Sequence, residues 1–130
     1  MNRQVIIDTD VLVDFEHNKA PWLNDIFTGK SKIIPVLPTI VISEYWASQK
    51  FNSTQTQGVA NELLSQFTKQ EFSESIAKVM GSIMRHKSYP SGASISDLIV
   101  ASTAIHLNAP LATRNKQHYS GVPNLSFFEP

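Results

Sequence analysis

Val5-Ile6-Ile7-Asp8-Thr9-Asp10 is the stretch of sequence that decides the fold. Its first three residues are apolar and β-branched, which is typical of a short strand buried on both faces of a parallel sheet. From Val11 the apolar residues follow helical spacing, and Thr9 or Asp10 is predicted to cap that helix. A buried strand that leads directly into a helix predicts a β–α unit with Asp8 at the carboxyl end of the strand.

The same alternation of strand and helix patterns continues along the chain. Further strands are predicted at residues 32–37, near 71–72, at 110–113 and at 125–128. Helices are predicted at residues 11–15, 21–28, 39–50, 59–67, 74–86 and 95–107, with a polar break at 52–57. Pro35 lies inside the second strand and favours an edge or the end of a strand, because proline has no backbone N–H. Strands that alternate with helices predict an α/β fold with a central, mostly parallel sheet and helices on both faces.

Length and composition limit the classes of protein. The chain has 130 residues, 42% of them apolar and 17% charged, which suits one domain over residues 1–130. It has no cysteine, which excludes disulfides, thiolate zinc sites and cysteine nucleophiles and fits a reducing cytoplasm. Lys+Arg and Asp+Glu balance at 11 each, so binding of nucleic acid would need local cations and a metal rather than net charge. No apolar run reaches membrane-spanning length, and residues 1–8 do not resemble a signal peptide.

Three acidic residues follow predicted strands or open predicted helices. Asp8 ends the first strand, Glu44 lies near the start of a helix, and Asp97 lies in the first turn of the apolar helix at 95–107, which Ser94 or Ser96 is predicted to cap. Each has an ordinary explanation as a helix N-terminal acid, although a carboxylate at the end of a buried strand is costly without compensation. Carboxylates gathered at one sheet edge would repel one another and need a cation. Oxygen ligands favour Mg²⁺ or Mn²⁺ over zinc.

The loop at residues 113–119 also follows a predicted strand. It offers a hydroxyl, two cations, an amide and an imidazole, and a plain polar surface loop explains the same composition. Because it would lie at the same edge of the sheet as Asp8, Arg114 and Lys116 are the predicted contacts to phosphate groups.

Taken in order, these segments resemble the PIN-domain family. The segments that resemble its four motifs and its usual ending are residues 6–14, Ser43-Glu44, residues 96–104, residues 113–119 and residues 121–125. The length of the chain makes it most similar to VapC-type toxins. The resemblance implies a PIN-like three-layer α/β/α domain and a Mg²⁺- or Mn²⁺-dependent endoribonuclease that cleaves RNA phosphodiester bonds. It also implies a homodimer in the cytoplasm that is inhibited by a VapB-type antitoxin.

The resemblance assigns roles to particular residues. Asp8, Glu44 and Asp97 correspond to the metal ligands, and with Asn115 they are the catalytic candidates. The candidates for contact with the substrate are Thr9, Asp10, Thr113, Arg114, Lys116 and His118. The chain departs from the family pattern in the last motif, where many members have an acid and this chain has Asn115 and His118. This leaves a second metal position open, and Asp10 could partly replace the missing charge.

Other functions fit parts of the pattern. Asp8-Thr9-Asp10 after an apolar strand also resembles haloacid-dehalogenase phosphatases and nucleoside hydrolases, but the further motifs of the first are absent and the chain is short for the second. A housekeeping RNA-processing nuclease and a degenerate PIN module that binds RNA or a partner without cleavage are the remaining alternatives.

The early helices are rich in aromatic residues, namely Trp22, Phe27, Tyr45, Trp46 and Phe51. Two explanations stay open from the sequence. Some of these side chains could line a groove that receives an amphipathic helix of a partner, or all of them could belong to the core.

Overall fold

A four-stranded parallel sheet forms the centre of the computed structural model, which describes residues 3–130. The strands are β1 (Arg3–Ile7), β2 (Ile33–Pro38), β3 (Thr68–Gln70) and β4 (Leu111–Ala112), in the spatial order β3-β2-β1-β4. All three pairs of neighbouring strands are parallel, so their carboxyl ends lie along one edge. The predicted α/β fold with a mostly parallel sheet is therefore confirmed.

Helices connect and flank the strands. They are α1 (Thr9–Glu16), α2 (Pro21–Phe27), α3 (Thr39–Trp46), α4 (Thr54–Leu64), α5 (Glu74–His86) and α6 (Ile95–Leu107), with short 3₁₀ helices at Gln49–Asn52 and Lys116–Tyr119. Helix α6 packs against α3, α5, β1 and β2. Within residues 3–130 no helix has the length and apolar character that crossing a bilayer requires.

Burial explains the apolar run that ends β1 and the mostly apolar or small residues of α6. Val5, Ile6 and Ile7 are completely buried, as a parallel strand covered on both faces should be. Six residues of α6, Leu98 and the five from Val100 to Ala104, are also buried. Two of them, Ser102 and Thr103, donate their hydroxyls to backbone carbonyls one turn earlier, which satisfies polar groups in an apolar environment. These two elements therefore form a rigid base for the residues that follow β1 and begin α6.

The N-cap of α1 differs from the prediction. The structure assigns it to Asp8, whose carboxylate accepts a hydrogen bond from the Thr9 backbone at 2.8 Å. Thr9 and Asp10 already lie within the helix, so the prediction that one of them is the cap is wrong. One residue therefore both ends the central strand and caps the first helix.

Three predicted helix boundaries are wrong, at the end of α3 and at both ends of α4. The helix predicted at residues 39–50 ends at Trp46, because the chain turns to bury Phe51, which stacks on Trp46 with 4.8 Å between ring centroids. Residues 52–57 do not form a polar break, since Ser53 caps α4 and the polar residues after it form the first turn. Helix α4 then ends at Leu64, before the predicted boundary.

Three strand predictions also need correction. Strand β2 is an internal strand, and it accepts Pro35 because its pairing with β3 begins one residue later, at Val36. The third strand lies just before the predicted residues 71–72. The strand predicted at residues 125–128 is reduced to one parallel bridge between Phe127 and Leu111.

Candidate active site

A cavity of about 420 Å³ opens at the carboxyl ends of β1 and β4. Eight of the ten residues predicted for the site line it, namely Asp8, Thr9, Asp10, Glu44, Asp97, Arg114, Asn115 and His118. The other two predicted residues, Thr113 and Lys116, do not line the cavity. The Thr113 hydroxyl nevertheless lies within hydrogen-bond distance of Asp8 and Asp10. Parallel pairing of β1 and β4 brings residues more than a hundred positions apart to one edge, which is why the predicted set converges.

Asp8 is the most buried carboxylate of the cavity, with 8% of its surface exposed. Its Oδ1 accepts from the Thr9 backbone. Its Oδ2 accepts from the Thr113 hydroxyl at 2.9 Å and from the Tyr119 hydroxyl at 2.7 Å. These three donors compensate the burial of the charge and fix the orientation of the carboxylate.

Asp10 lies two residues after Asp8, in the first turn of α1, and has fewer hydrogen bonds to compensate the burial of its charge. Its Oδ2 accepts from the Arg114 backbone at 3.1 Å and from the Thr113 hydroxyl at 3.3 Å. Its Oδ1 is buried and has no hydrogen-bond partner among the described residues. Burial and the neighbouring charge of Asp8 raise the pKa of Asp10, and the two hydrogen bonds oppose them only in part. The site thus holds negative charge that a cation would stabilise.

Glu44 joins the helices on the two sides of the cavity. Its Oε1 accepts from the Thr9 hydroxyl of α1 at 2.9 Å, and its Oε2 accepts from the Ser96 hydroxyl of α6 at 3.0 Å. The residue is exposed and lies in the last turn of α3 (Thr39–Trp46), so the prediction that it lies near the start of a helix is wrong. Its carboxylate is therefore held by two hydroxyls while it remains accessible from the cavity.

Asp97 has both an ordinary structural role and a place in the cavity. It completes a capping box with Ser94, whose backbone donates to Asp97 Oδ2 at 3.0 Å. The same oxygen lies 3.7 Å from Nδ1 of His118. Both contacts use Oδ2, so Oδ1 takes part in neither. Of the two caps predicted for this helix Ser94 is the correct one, and the ordinary explanation of Asp97 as a helix N-terminal acid also holds. Oδ1 of Asp97 remains outside both contacts.

The predicted cations are already paired with acids. Arg114 donates from Nε to Asp14 Oδ2 at 3.0 Å, and Lys116 forms an ion pair with Glu129 near the end of the chain. Both cations are well exposed. Lys116, which pairs with Glu129, is not among the residues that line the cavity.

Two hydroxyls of the site were not predicted. Ser96 was considered only as a helix cap, and Tyr119 only as part of a polar loop, yet they bond to Glu44 and Asp8. Burial and the charge of Asp8 raise the pKa of Tyr119 well above its usual range, so its hydroxyl stays protonated and donates. An available signal was that a buried tyrosine usually finds a hydrogen-bond partner, although its identity required the fold.

The donor set has the chemistry of a site for a hard divalent cation. All four carboxylates of the cavity offer oxygen ligands, and one buried oxygen, Asp10 Oδ1, has no partner among the described residues. As placed in residues 3–130, no three acidic or histidine side chains are grouped closely enough to hold one ion. Shared coordination of one ion therefore requires some of these side chains to move, and Glu44 is the one of the four that is exposed.

The early aromatic residues belong mainly to the core. Tyr45 and Phe51 are buried, and Trp22, Phe27 and Trp46 are partly buried against the core. A second cavity, of about 480 Å³, opens beside them between α1 and α4 and shares no lining residue with the acidic cavity. The groove for a partner helix stays a prediction.

Comparison with protein families gives one match, "PIN domain", over residues 5–121. The matched part contains all four carboxylates of the cavity and the loop that follows β4. No curated protein matches the chain significantly.

Several solved structures share this fold. VapBC2 from Rickettsia felis, bound to a DNA fragment from its promoter, is 24% identical, with a TM-score of 0.78 over 96% of this chain and 97% of that chain. VapBC-1 from nontypeable Haemophilus influenzae is 19% identical, with a TM-score of 0.73 and 97% of both chains covered. FitAcB from Neisseria gonorrhoeae is 17% identical, with the same TM-score and coverage. At these identities the likeness establishes the fold.

Proposed function

The chain belongs to the PIN-domain family, and we propose that it is a metal-dependent endoribonuclease that acts as the toxin of a toxin–antitoxin pair. The observation that carries this proposal is the placement of Asp8, Asp10, Glu44 and Asp97 around one cavity at the carboxyl ends of the parallel strands. A surface that only bound RNA would gain nothing from four carboxylates, because they repel phosphate groups. A divalent cation bound by these carboxylates would neutralise their charge and attract the phosphate groups of RNA.

Asp8, Glu44 and Asp97 are the proposed ligands of Mg²⁺ or Mn²⁺. When bound, such an ion supplies an activated water molecule and stabilises charge on a phosphodiester. Asp8 is held rigidly by three donors, whereas Glu44 is exposed and Asp97 keeps one oxygen outside its capping contacts. Asp10 adds charge beside Asp8, so it can strengthen cation binding without being a direct ligand.

The loop after β4 is proposed to hold the RNA backbone. Lys116 and Glu129 form an exposed ion pair, and pairs of this kind contribute only about 0–1 kcal/mol. Arg114 is equally accessible, although the acid with which it pairs, Asp14, is partly buried. A phosphate can therefore displace Glu129 from Lys116 at little cost, and the exposed guanidinium of Arg114 has further N–H groups that can donate to a phosphate. Asn115, which also lines the cavity, offers an amide beside these cations.

The threonines predicted to contact substrate are better explained as supports for the acids. Thr9 donates its hydroxyl to Glu44, and the hydroxyl of Thr113 lies within reach of Asp8 and Asp10. His118 lies beside Asp97 at the cavity rim, where its imidazole could contact a phosphate or a base. We therefore assign substrate contact to Arg114, Lys116, Asn115 and His118.

A VapB-type protein is the proposed partner. The structural neighbours include VapBC proteins and a toxin–antitoxin complex from Klebsiella pneumoniae. A ribonuclease acting freely in the cytoplasm would also damage its own cell, so an inhibitor is expected. A guanidinium of the partner can pair with the carboxylates of the acidic cavity and so occupy the place of the metal. A homodimer is proposed on the family resemblance alone.

Expression in a bacterial host tests the toxin proposal. Production of the wild-type chain is expected to stop growth and to cut cellular RNA. Co-production of the small protein encoded beside it should restore growth and yield a complex that survives gel filtration. A chain that leaves growth and RNA intact would contradict the proposal. Growth arrest that no neighbouring protein relieves would favour a housekeeping processing nuclease.

A binding module without cleavage is the second candidate. Within residues 3–130, no three acidic or histidine side chains lie close enough together to hold one ion, which favours this candidate. The last motif favours it too, because this chain has Asn115 and His118 where many members of the family have an acid. Such a module would bind RNA and leave it whole.

A further inference from the structure

We propose that Tyr119 is a positioning residue, whose hydroxyl fixes the Asp8 carboxylate in the orientation in which it binds the metal ion. This inference rests on the proposed metal-dependent function. Tyr119 Oη donates to Asp8 Oδ2 at 2.7 Å, and only 3% of the residue is exposed. No role for this hydroxyl follows from the sequence.

The tyrosine is well suited to hold a carboxylate because its ring cannot move freely. Tyr119 ends the 3₁₀ helix Lys116–Tyr119, belongs to the buried core and meets the ring of Phe127 edge-on, with 6.4 Å between centroids. A ring packed in this way delivers its hydroxyl to one place. The Asp8 oxygen that accepts it is correspondingly fixed.

The other side-chain donor to Asp8 Oδ2 is the Thr113 hydroxyl, which also lies close to Asp10. The Thr113 hydroxyl lies 2.9 Å from Asp8 Oδ2 and 3.3 Å from Asp10 Oδ2, and it has a single proton to donate. Whenever Thr113 donates to Asp10, Tyr119 is the remaining side-chain donor to Asp8 Oδ2 among the described residues. Removal of the tyrosine hydroxyl therefore leaves this oxygen without a constant partner.

The chain supplies a matched control. Tyr45 is a second buried tyrosine, with 5% of its surface exposed, and its hydroxyl lies beside the carboxylate of Glu16. Glu16 lines the second cavity and not the acidic one. Tyr119→Phe and Tyr45→Phe each remove one hydroxyl that lies beside a carboxylate and keep the buried ring. Only the first should affect the metal.

The experiment is a calorimetric titration of the folded proteins with Mn²⁺, followed by RNA cleavage over a range of Mn²⁺ concentrations. Tyr119→Phe is expected to raise the Kd for Mn²⁺ about 10-fold, as loss of a partner to a metal ligand typically does. The Mn²⁺ concentration for half-maximal cleavage should rise equally, and cleavage should recover at saturating metal. Tyr45→Phe should match the wild type in both measurements.

Three outcomes would overturn the inference, and they can be told apart. If the wild type binds Mn²⁺ and Tyr119→Phe binds it equally well, the positioning role alone is wrong. If Tyr119→Phe does not fold, as judged by circular dichroism in EDTA, the hydroxyl has a structural role instead. If the wild type itself takes up no Mn²⁺, the proposed metal-dependent function fails and the inference fails with it.

Discussion

Asp8→Asn is expected to lower the rate of RNA cleavage in Mg²⁺ by at least about 100-fold. Loss of a residue that only hydrogen-bonds to a metal ligand typically lowers metal affinity or activity about 10–100-fold, and loss of a direct ligand should cost more. The amide cannot supply the negative charge that a hard cation needs. The fold should survive, since the hydroxyls of Tyr119 and Thr113, which now donate to Asp8, can reverse and accept from the amide. Because the substitution removes the repulsion between Asp8 and Asp10, the unfolding temperature should stay unchanged or rise.

The measurement is initial cleavage rate together with thermal unfolding, and Asp25→Asn is the matched control. Asp25 lies exposed on α2 and does not line the acidic cavity, so the same change of charge there should leave the rate unchanged. An Asp8→Asn protein that cuts RNA at the wild-type rate would contradict the assignment of Asp8.

Asp97→Asn is expected to lower cleavage by about 100-fold and to change the free energy of unfolding little. The asparagine keeps an oxygen that can accept from the Ser94 backbone, so the capping box largely survives while the charge is lost. This substitution therefore separates the two roles of Asp97, which the sequence alone could not do.

The control for Asp97 removes a cap elsewhere. Ser73 caps α5 through a hydrogen bond from the Ile76 backbone at 3.2 Å, and Ser73→Ala should lower the free energy of unfolding by about 1 kcal/mol. Cleavage by Ser73→Ala should stay at the wild-type level under conditions in which both proteins are folded. If Asp97→Asn instead lost stability and kept full activity, Asp97 would be a helix cap only.

The sequence was sufficient to predict the fold and the convergence of eight of the ten candidate residues on one cavity, whereas it missed the hydroxyls of Ser96 and Tyr119. The run of β-branched residues before Asp8 predicts a buried parallel strand, and parallel strands deliver the residues after them to one edge. This is why Asp8, Glu44 and Arg114, which are distant in the sequence, were correctly predicted to lie near one cavity.

Contacts between distant segments were beyond prediction. The end of α3 depends on the burial of Phe51, and the partner of Tyr119 depends on how the chain returns after β4. Likewise the sequence shows that Arg114 and Lys116 are cations, but their pairs with acids distant in the chain appear only in the folded protein. Local patterns determine elements, whereas tertiary packing determines these hydrogen bonds and ion pairs.

The most direct measurement is the fate of a defined RNA incubated with the purified wild-type chain and Mg²⁺ or Mn²⁺, with and without EDTA. We expect internal cuts that need the metal, stop with EDTA and resume when excess metal is restored. RNA that binds the folded protein in the presence of metal and stays whole would contradict the nuclease and leave a binding module in its place.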